Sequence, residues 1–253
     1  MKKNKVFFYT ALVLLIGVFA FSAYKLGSYW MEKVESDRMM EQASQFVDVG
    51  SSQEEGTGQD GNGEQTDDPA PEHVTVDFAA LAELNDDIVA WIYCPNTQIN
   101  YPIVQGYDND YYLYRLLDGT WNANGTIFMD YRNETDFTDY NTMIYGHHMK
   151  TGAMFADLMK YKSQSFYEEH PYMYIYTPEQ NYRLDLFAGA VVDCVAPIYS
   201  FEPSSDVVNE CISNSTFDAA IDYPANHIVT LSTCTYEYDD ARYVILGDLV
   251  PIE

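Results

Sequence analysis

Basic side chains are scarce in this chain. Lys and Arg number 13 against 39 Asp and Glu in 253 residues, a formal net charge of −26. Free nucleic acid is thereby excluded as a partner, because binding phosphate needs a basic face. Cysteine is scarce as well: Cys94, Cys194, Cys211 and Cys234 lie far apart, with no CxxC pair. This is no disulfide-dense scaffold, although an even count outside the cell leaves two bridges open. No Cys/His cluster stands at zinc spacing, so no metal is suggested and no cofactor is expected. Apolar and aromatic residues are plentiful, with 47% hydrophobic residues and 23 Tyr. That suffices for a core, so the acidity does not mean wholesale disorder.

The few cations divide the chain. Residues 1–31 hold Lys2, Lys3, Lys5 and Lys25 and no acid, residues 32–77 carry −11, and residues 78–253 carry −19. Residues 6–24 (VFFYTALVLLIGVFAFSAY) run without a charge. At about 1.5 Å per residue they span a hydrocarbon core of roughly 30 Å. The preceding lysines predict a cytoplasmic N-terminus and an exported remainder. The run exceeds a signal-peptide core, which favours a retained single-pass anchor over a cleaved leader despite small Ala20, Ser22 and Ala23. Residues 1–31 are therefore expected as stub and anchor in the cell membrane, and residues 32–72 as an acidic flexible linker. Within that linker residues 32–47 can continue the helix, whereas residues 50–71 are Gly, Ser, Gln and acid and cannot offset their ordering entropy.

Residues 73–253 read as one compact, mainly β, barrel-like domain with peripheral helices. Asp77 can cap a short helix with Phe78, Leu81 and Leu84 inward. Strand-like runs rich in β-branched and aromatic residues cover 88–93, 99–105, 125–130, 143–145, 173–177, 182–192, 227–234 and 242–250. Helical stretches fit at 154–161, 163–169 and 206–213.

Two places carry chemistry. In IVTLSTC (residues 228–234) alternation puts Cys234 on one sheet face with Thr230 and Ser232, and after a loop of seven residues a second strand begins at Arg242. If the two strands pair, the guanidinium stands beside the thiol, favouring thiolate and able to hold an oxyanion. In NTMIYGHHMK (residues 141–150) two histidines follow Gly146, and only one of His147 and His148 can face a given site. An imidazole there suits general acid/base work for Cys234. Spacing alone favours Cys234 as a buried small hydrophobe and Arg242 as a strand-end surface charge, and without Cys234 the histidines would read as exposed loop residues. Cys94, Cys194 and Cys211 read as buried thiols, and His73, His170 and His227 as structural or exposed.

The combination of IYGHHM, TLSTC and a following Arg242 resembles the sortase family, specifically its class B branch. WIYCPNTQINYPIVQGYDNDYYL (residues 91–113) and NGTIFMDYRN (residues 124–133) are similar to class B segments, and the likeness covers roughly residues 77–252. The resemblance implies a closed sortase β-barrel with an N-terminal helical segment and a helix inserted before the cysteine strand. It makes Cys234 the nucleophile, His147 the general acid/base and Arg242 the oxyanion or substrate-orienting cation. Asn109, Leu113, Tyr145 and Ser232 are matched to the substrate groove. The implied activity is cysteine transpeptidation. An exported protein is cut after Thr in a C-terminal sorting signal and joined through a thioacyl intermediate to a peptidoglycan amine. A pilin-polymerising enzyme, a thiol hydrolase and a non-catalytic anchored surface-binding β-domain are the competing readings.

Overall fold

The computed structural model describes residues 2–50, 74–219 and 227–252. Its centre is a closed barrel of eight strands: β3 (Ile88–Tyr93), β4 (Asn100–Val104), β5 (Phe128–Met129), β6 (Asn141–Tyr145), β7 (Tyr172–Tyr176), β8 (Asn181–Asp193), β9 (Ile228–Cys234) and β10 (Ala241–Ile252). Around the barrel the order is β10-β8-β7-β3-β4-β5-β6-β9, so no open edge remains in it. Neighbours run antiparallel except at β4–β5 and β6–β9, which are parallel. The eight strand-like runs of the sequence are these eight strands.

Alternation sends Ile92, Ile103, Met129, Ile144, Ile175, Leu184, Leu231 and Ile245 into a single interior cluster, all fully buried. The short helix α2 (Phe78–Leu84) is capped as expected, with the Asp77 carboxylate accepting from the Ala80 N–H at 3.0 Å. Leu81 is its buried residue, while Phe78 and Leu84 pack at the margin of a second cluster. Residues Phe155–Lys162 form a 3-10 helix, followed by α3 (Gln164–Glu169). The helix expected before the cysteine strand is α4 (Ser205–Ser213), laid on β8 through Val208 and Cys211.

The N-terminal helix α1 runs unbroken from Lys2 to Ser44 and contains an apolar stretch long enough to cross a membrane. Its far end continues the helix over residues 32–44 as the sequence allows, but it corrects the expectation of flexibility there. Ser36, Met39 and Ala43 recur at helical spacing and are buried against the domain. Beyond the helix, β1 (Val47–Val49) pairs antiparallel with β2 (Val74–Val76). Residues 32–49 therefore belong to the folded domain, because a sparse apolar stripe in the acidic sequence finds Val74, Leu81 and Leu116 to cover. The Gly- and acid-rich part of the linker, residues 51–72, lies outside the described residues, as does His73.

Candidate active site

Strand register brings the site together. In the parallel pair of β6 and β9, Tyr145 stands opposite Ser232. Two residues further along each chain come His147 and Cys234. The ladder continues past the last pair, with the Gly146 N–H donating to the Ser232 carbonyl at 3.1 Å and the Thr233 hydroxyl donating to the Gly146 carbonyl at 2.7 Å. On the other side of β9, Cys234 is paired with Arg242 of β10. Cross-strand partners share a face, so imidazole, thiol and guanidinium are delivered from three adjacent strands to one end of the barrel.

All three line one groove of about 440 Å³, and so do Asn109, Leu113, Tyr145 and Ser232. Every site residue singled out in the sequence is thus in this groove. The 3-10 turn Tyr112–Tyr114 forms one wall. Its Leu113 carbonyl lies 2.7 Å from His147 Nε2. A carbonyl only accepts, so Nε2 carries the hydrogen and Nδ1 is the open basic nitrogen of the neutral ring. Tyr114 stacks at a tilt on the same imidazole, 5.6 Å between ring centres. Burial holds His147 below the usual histidine range, although the Leu113 carbonyl partly opposes that shift. The ring is consequently neutral near pH 7.

Arg242 turns one N–H onto the Ala241 carbonyl at 3.1 Å, and among the described residues it forms no ion pair. In an acidic protein that leaves its charge for the groove. His148 is directed elsewhere. Its Nδ1 donates to the Cys234 carbonyl at 3.1 Å and its ring lies 5.6 Å from that of Tyr236, so it ties down the end of the cysteine strand.

Sequence reasoning missed the far end of the groove. Asp130 and Arg132 line it with Tyr199 and Cys194. The fully buried Asp130 carboxylate receives Nε and Nη2 of Arg132 at 2.8 Å each, Asn109 Nδ2 at 2.9 Å and the Tyr145 hydroxyl at 3.1 Å. Burial alone would raise its pKa, but the hydrogen bonds from Arg132 and Asn109 outweigh it and keep the carboxyl below the normal range. The other end of the Asn109 amide accepts from the Tyr131 N–H at 3.1 Å, so the orientation of this side chain is fixed from both sides. The signal was a charge two residues from another at a strand end, DYR, in a chain poor in cations. Tyr199 donates to or accepts from Ser232 Oγ at 2.8 Å.

Of the other thiols, Cys94 and Cys211 are buried as expected, and burial pushes each up to about 11. Cys194 is corrected: it is only partly covered and borders the groove, because it follows the end of β8 beside Val192, the partner of Arg242. His170 ends α3, and His227 Nδ1 donates to the Asp139 carbonyl at 3.1 Å, both structural positions. Among the described residues no group of three His, Cys, Asp or Glu is placed to hold a metal ion.

The chain is similar to known proteins over most of its length. The family model described as sortase domain matches residues 92–250. Sortase B of Listeria monocytogenes is 34% identical over 248 residues, covering 94% of each chain. Sortase B of Staphylococcus aureus is 33% identical over 190 residues, covering 72% of this chain and 78% of that protein. Among solved structures, the S. aureus sortase B–substrate complex superposes with a TM-score of 0.64 at 30% identity, over 70% of this chain and 85% of that one. Sortase B from Bacillus anthracis in complex with AAEK1 gives 0.68 at 31% identity, over 88% and 100%. With His147, Cys234 and Arg242 aligned across three strands of such a barrel, the chain belongs to the sortase family, in its class B branch.

Proposed function

We propose that this protein is a membrane-anchored cysteine transpeptidase that joins exported proteins to the cell wall. The observation that carries the reading is the register of β6, β9 and β10, which sets His147, Cys234 and Arg242 side by side in one groove. His147 Nδ1 takes the Cys234 proton, and the thiolate adds to the carbonyl carbon of a Thr in a C-terminal sorting signal. Arg242 holds the oxyanion that forms. As the tetrahedral intermediate collapses, the C–N bond breaks, His147 returns the proton to the departing amine, and a thioester to Cys234 remains. A peptidoglycan amine then attacks the thioester and gives its proton to His147. The new amide forms and Cys234 leaves as thiolate. Asn109, Leu113, Tyr145 and Ser232 line the path of the signal. Residues 6–24 anchor the enzyme with its N-terminus in the cytoplasm and its barrel on the outer face of the membrane, where exported substrates with membrane tails are retained.

The test is cleavage of a fluorescent sorting-signal peptide by the wild type and by Cys234→Ala. Wild type is expected to form a thioacyl adduct trappable by hydroxylamine, and Cys234→Ala to lose both adduct and cleavage. Retained cleavage in Cys234→Ala overturns the reading. An added amine must also appear in the product; if only the hydrolysed acid forms at every amine concentration, the protein is a thiol hydrolase.

A further inference from the structure

The domain meets α1 low on that helix. The uncharged run ends at Tyr24. Ser28 and Glu32 are already partly covered, and Ser36, Met39 and Ala43 are buried. At 1.5 Å per residue, Ser28 stands about 6 Å and Glu32 about 12 Å beyond the end of the run. The headgroup layer adds roughly 5–8 Å to each side of the hydrocarbon core. A helix seated by this run therefore holds the lower edge of the barrel at the headgroup layer.

The segment at that edge is the loop after the Tyr112–Tyr114 turn. Asn122, fully buried, donates Nδ2 to the Glu32 carbonyl at 2.8 Å. Its neighbour Trp121 is 57% exposed, and Trp30, two residues before Glu32 on α1, is 64% exposed. Arg115, the β-bridge partner of Trp121, lies over the Tyr111 ring at 4.9 Å. A large indole with one polar N–H, next to an arginine with a long apolar stem, suits the boundary between headgroups and acyl chains better than open water.

We infer that the loop of residues 115–122 is a second membrane contact, in which Trp121 enters the phospholipid headgroup layer beside the anchor. The inference rests on the anchor reading of α1 given above. It has a consequence for substrates. Leu113, whose carbonyl holds His147, lies two residues before Arg115, so the groove is held at a set height over the bilayer instead of swinging on a tether. The enzyme then favours signals whose cleavage point stands at that height above their own membrane tail.

Tryptophan fluorescence of the full chain in vesicles tests this. The chain has three Trp, and Trp91 is fully buried, a constant background that also reports folding. The vesicles are phosphatidylglycerol with phosphatidylcholine brominated near the headgroup end of its acyl chains. Trp30→Phe isolates Trp121, Trp121→Phe isolates Trp30, and the double variant gives the Trp91 signal to subtract. At least twofold quenching of both Trp121 and Trp30 is expected. Quenching of Trp30 without Trp121 overturns the contact and leaves the anchor standing; quenching of neither overturns both. Seven helical residues inserted between Met31 and Glu32 raise the barrel by about 10 Å while nearly keeping its rotation. They should abolish Trp121 quenching and leave that of Trp30, and persistence of both after the insertion also counts against the contact.

Discussion

At the scale of single residues the groove separates into a reacting end and a holding end. In the proposed reaction His147 serves as the base because burial keeps it neutral, and the sign of that effect can be followed. Its folded pKa lies below the unfolded value of about 6.5. The acid limb of the pH profile of kcat/KM is therefore expected below pH 6.5, and an NMR titration of His147 in Cys234→Ala should give the same midpoint. The same shift opposes stability in acid: as pH falls below about 6.5 the unfolded chain binds this proton first, so stability declines until the folded ring is charged too. A midpoint above 6.5 would show that the imidazole is stabilised as a cation, and would contradict a neutral base. At the holding end, Asp130→Asn keeps the shape but removes the charge that gathers Arg132, Asn109 and Tyr145. We expect a loss of about 2 kcal/mol in urea unfolding. KM for the signal peptide should rise more than tenfold with kcat changed less, since Asn109 and Tyr145 lose their orientation while Cys234 does not. Asp130 was not legible beforehand because its importance comes from burial and from partners 15 and 21 residues away.

At the scale of elements, legibility followed length and periodicity. The long strands β8, β9 and β10 carry their alternation openly, and the seven-residue connection sets Cys234 beside Arg242 once β9 and β10 pair, while leaving the role of the two side chains open. The three-residue strands β1 and β2 are too short for any period, and their pairing bridges the acid-rich stretch between them. The Tyr112–Tyr114 turn is equally hidden, since what ties it to His147 is a backbone carbonyl, which no side-chain pattern reveals. Gly146 shows the opposite case, a residue whose type already signalled a lack of room. A Cβ there would stand 2.7 Å from Cδ2 and 2.8 Å from Cγ of Phe155, whose N–H in turn donates to the His147 carbonyl at 3.0 Å. Gly146→Ala must therefore push apart the β6 end and the 3-10 helix on which His147 depends. The expected cost is about 2 kcal/mol of stability. A fall in kcat of at least tenfold should accompany it, and Phe155→Leu in the same chain should recover part of both. Unchanged kcat in Gly146→Ala would mean that the two elements are loosely coupled.

At the scale of the molecule, the distribution of charge suggested three bodies, and the structure redraws the boundary between the second and third. Net charge speaks for solubility and partners and not for packing. By charge the −11 stretch thus reads as a tether, although a stripe of Ser36, Met39 and Ala43 lies within it at helical spacing. The stripe was hard to see because two of its members are small and the surrounding residues are acidic. If the stripe docks α1 on the barrel, the two faces of this part of the helix must respond differently to substitution. Ala43 is fully buried, so Ala43→Asp places an unpaired carboxylate within the apolar cluster that includes Val74 and Leu81 and should cost about 3 kcal/mol or more. Glu41 is exposed on the same helical turn, and Glu41→Ala should stay within about 0.5 kcal/mol of wild type. Urea unfolding of the two variants measures the difference. Limited proteolysis locates it, because a released helix opens new cleavage near residues 45–50 while the barrel persists. Equal stability for the two variants would show that the helix only leans on the domain. In that case the height of the groove over the membrane would no longer be set by the chain itself.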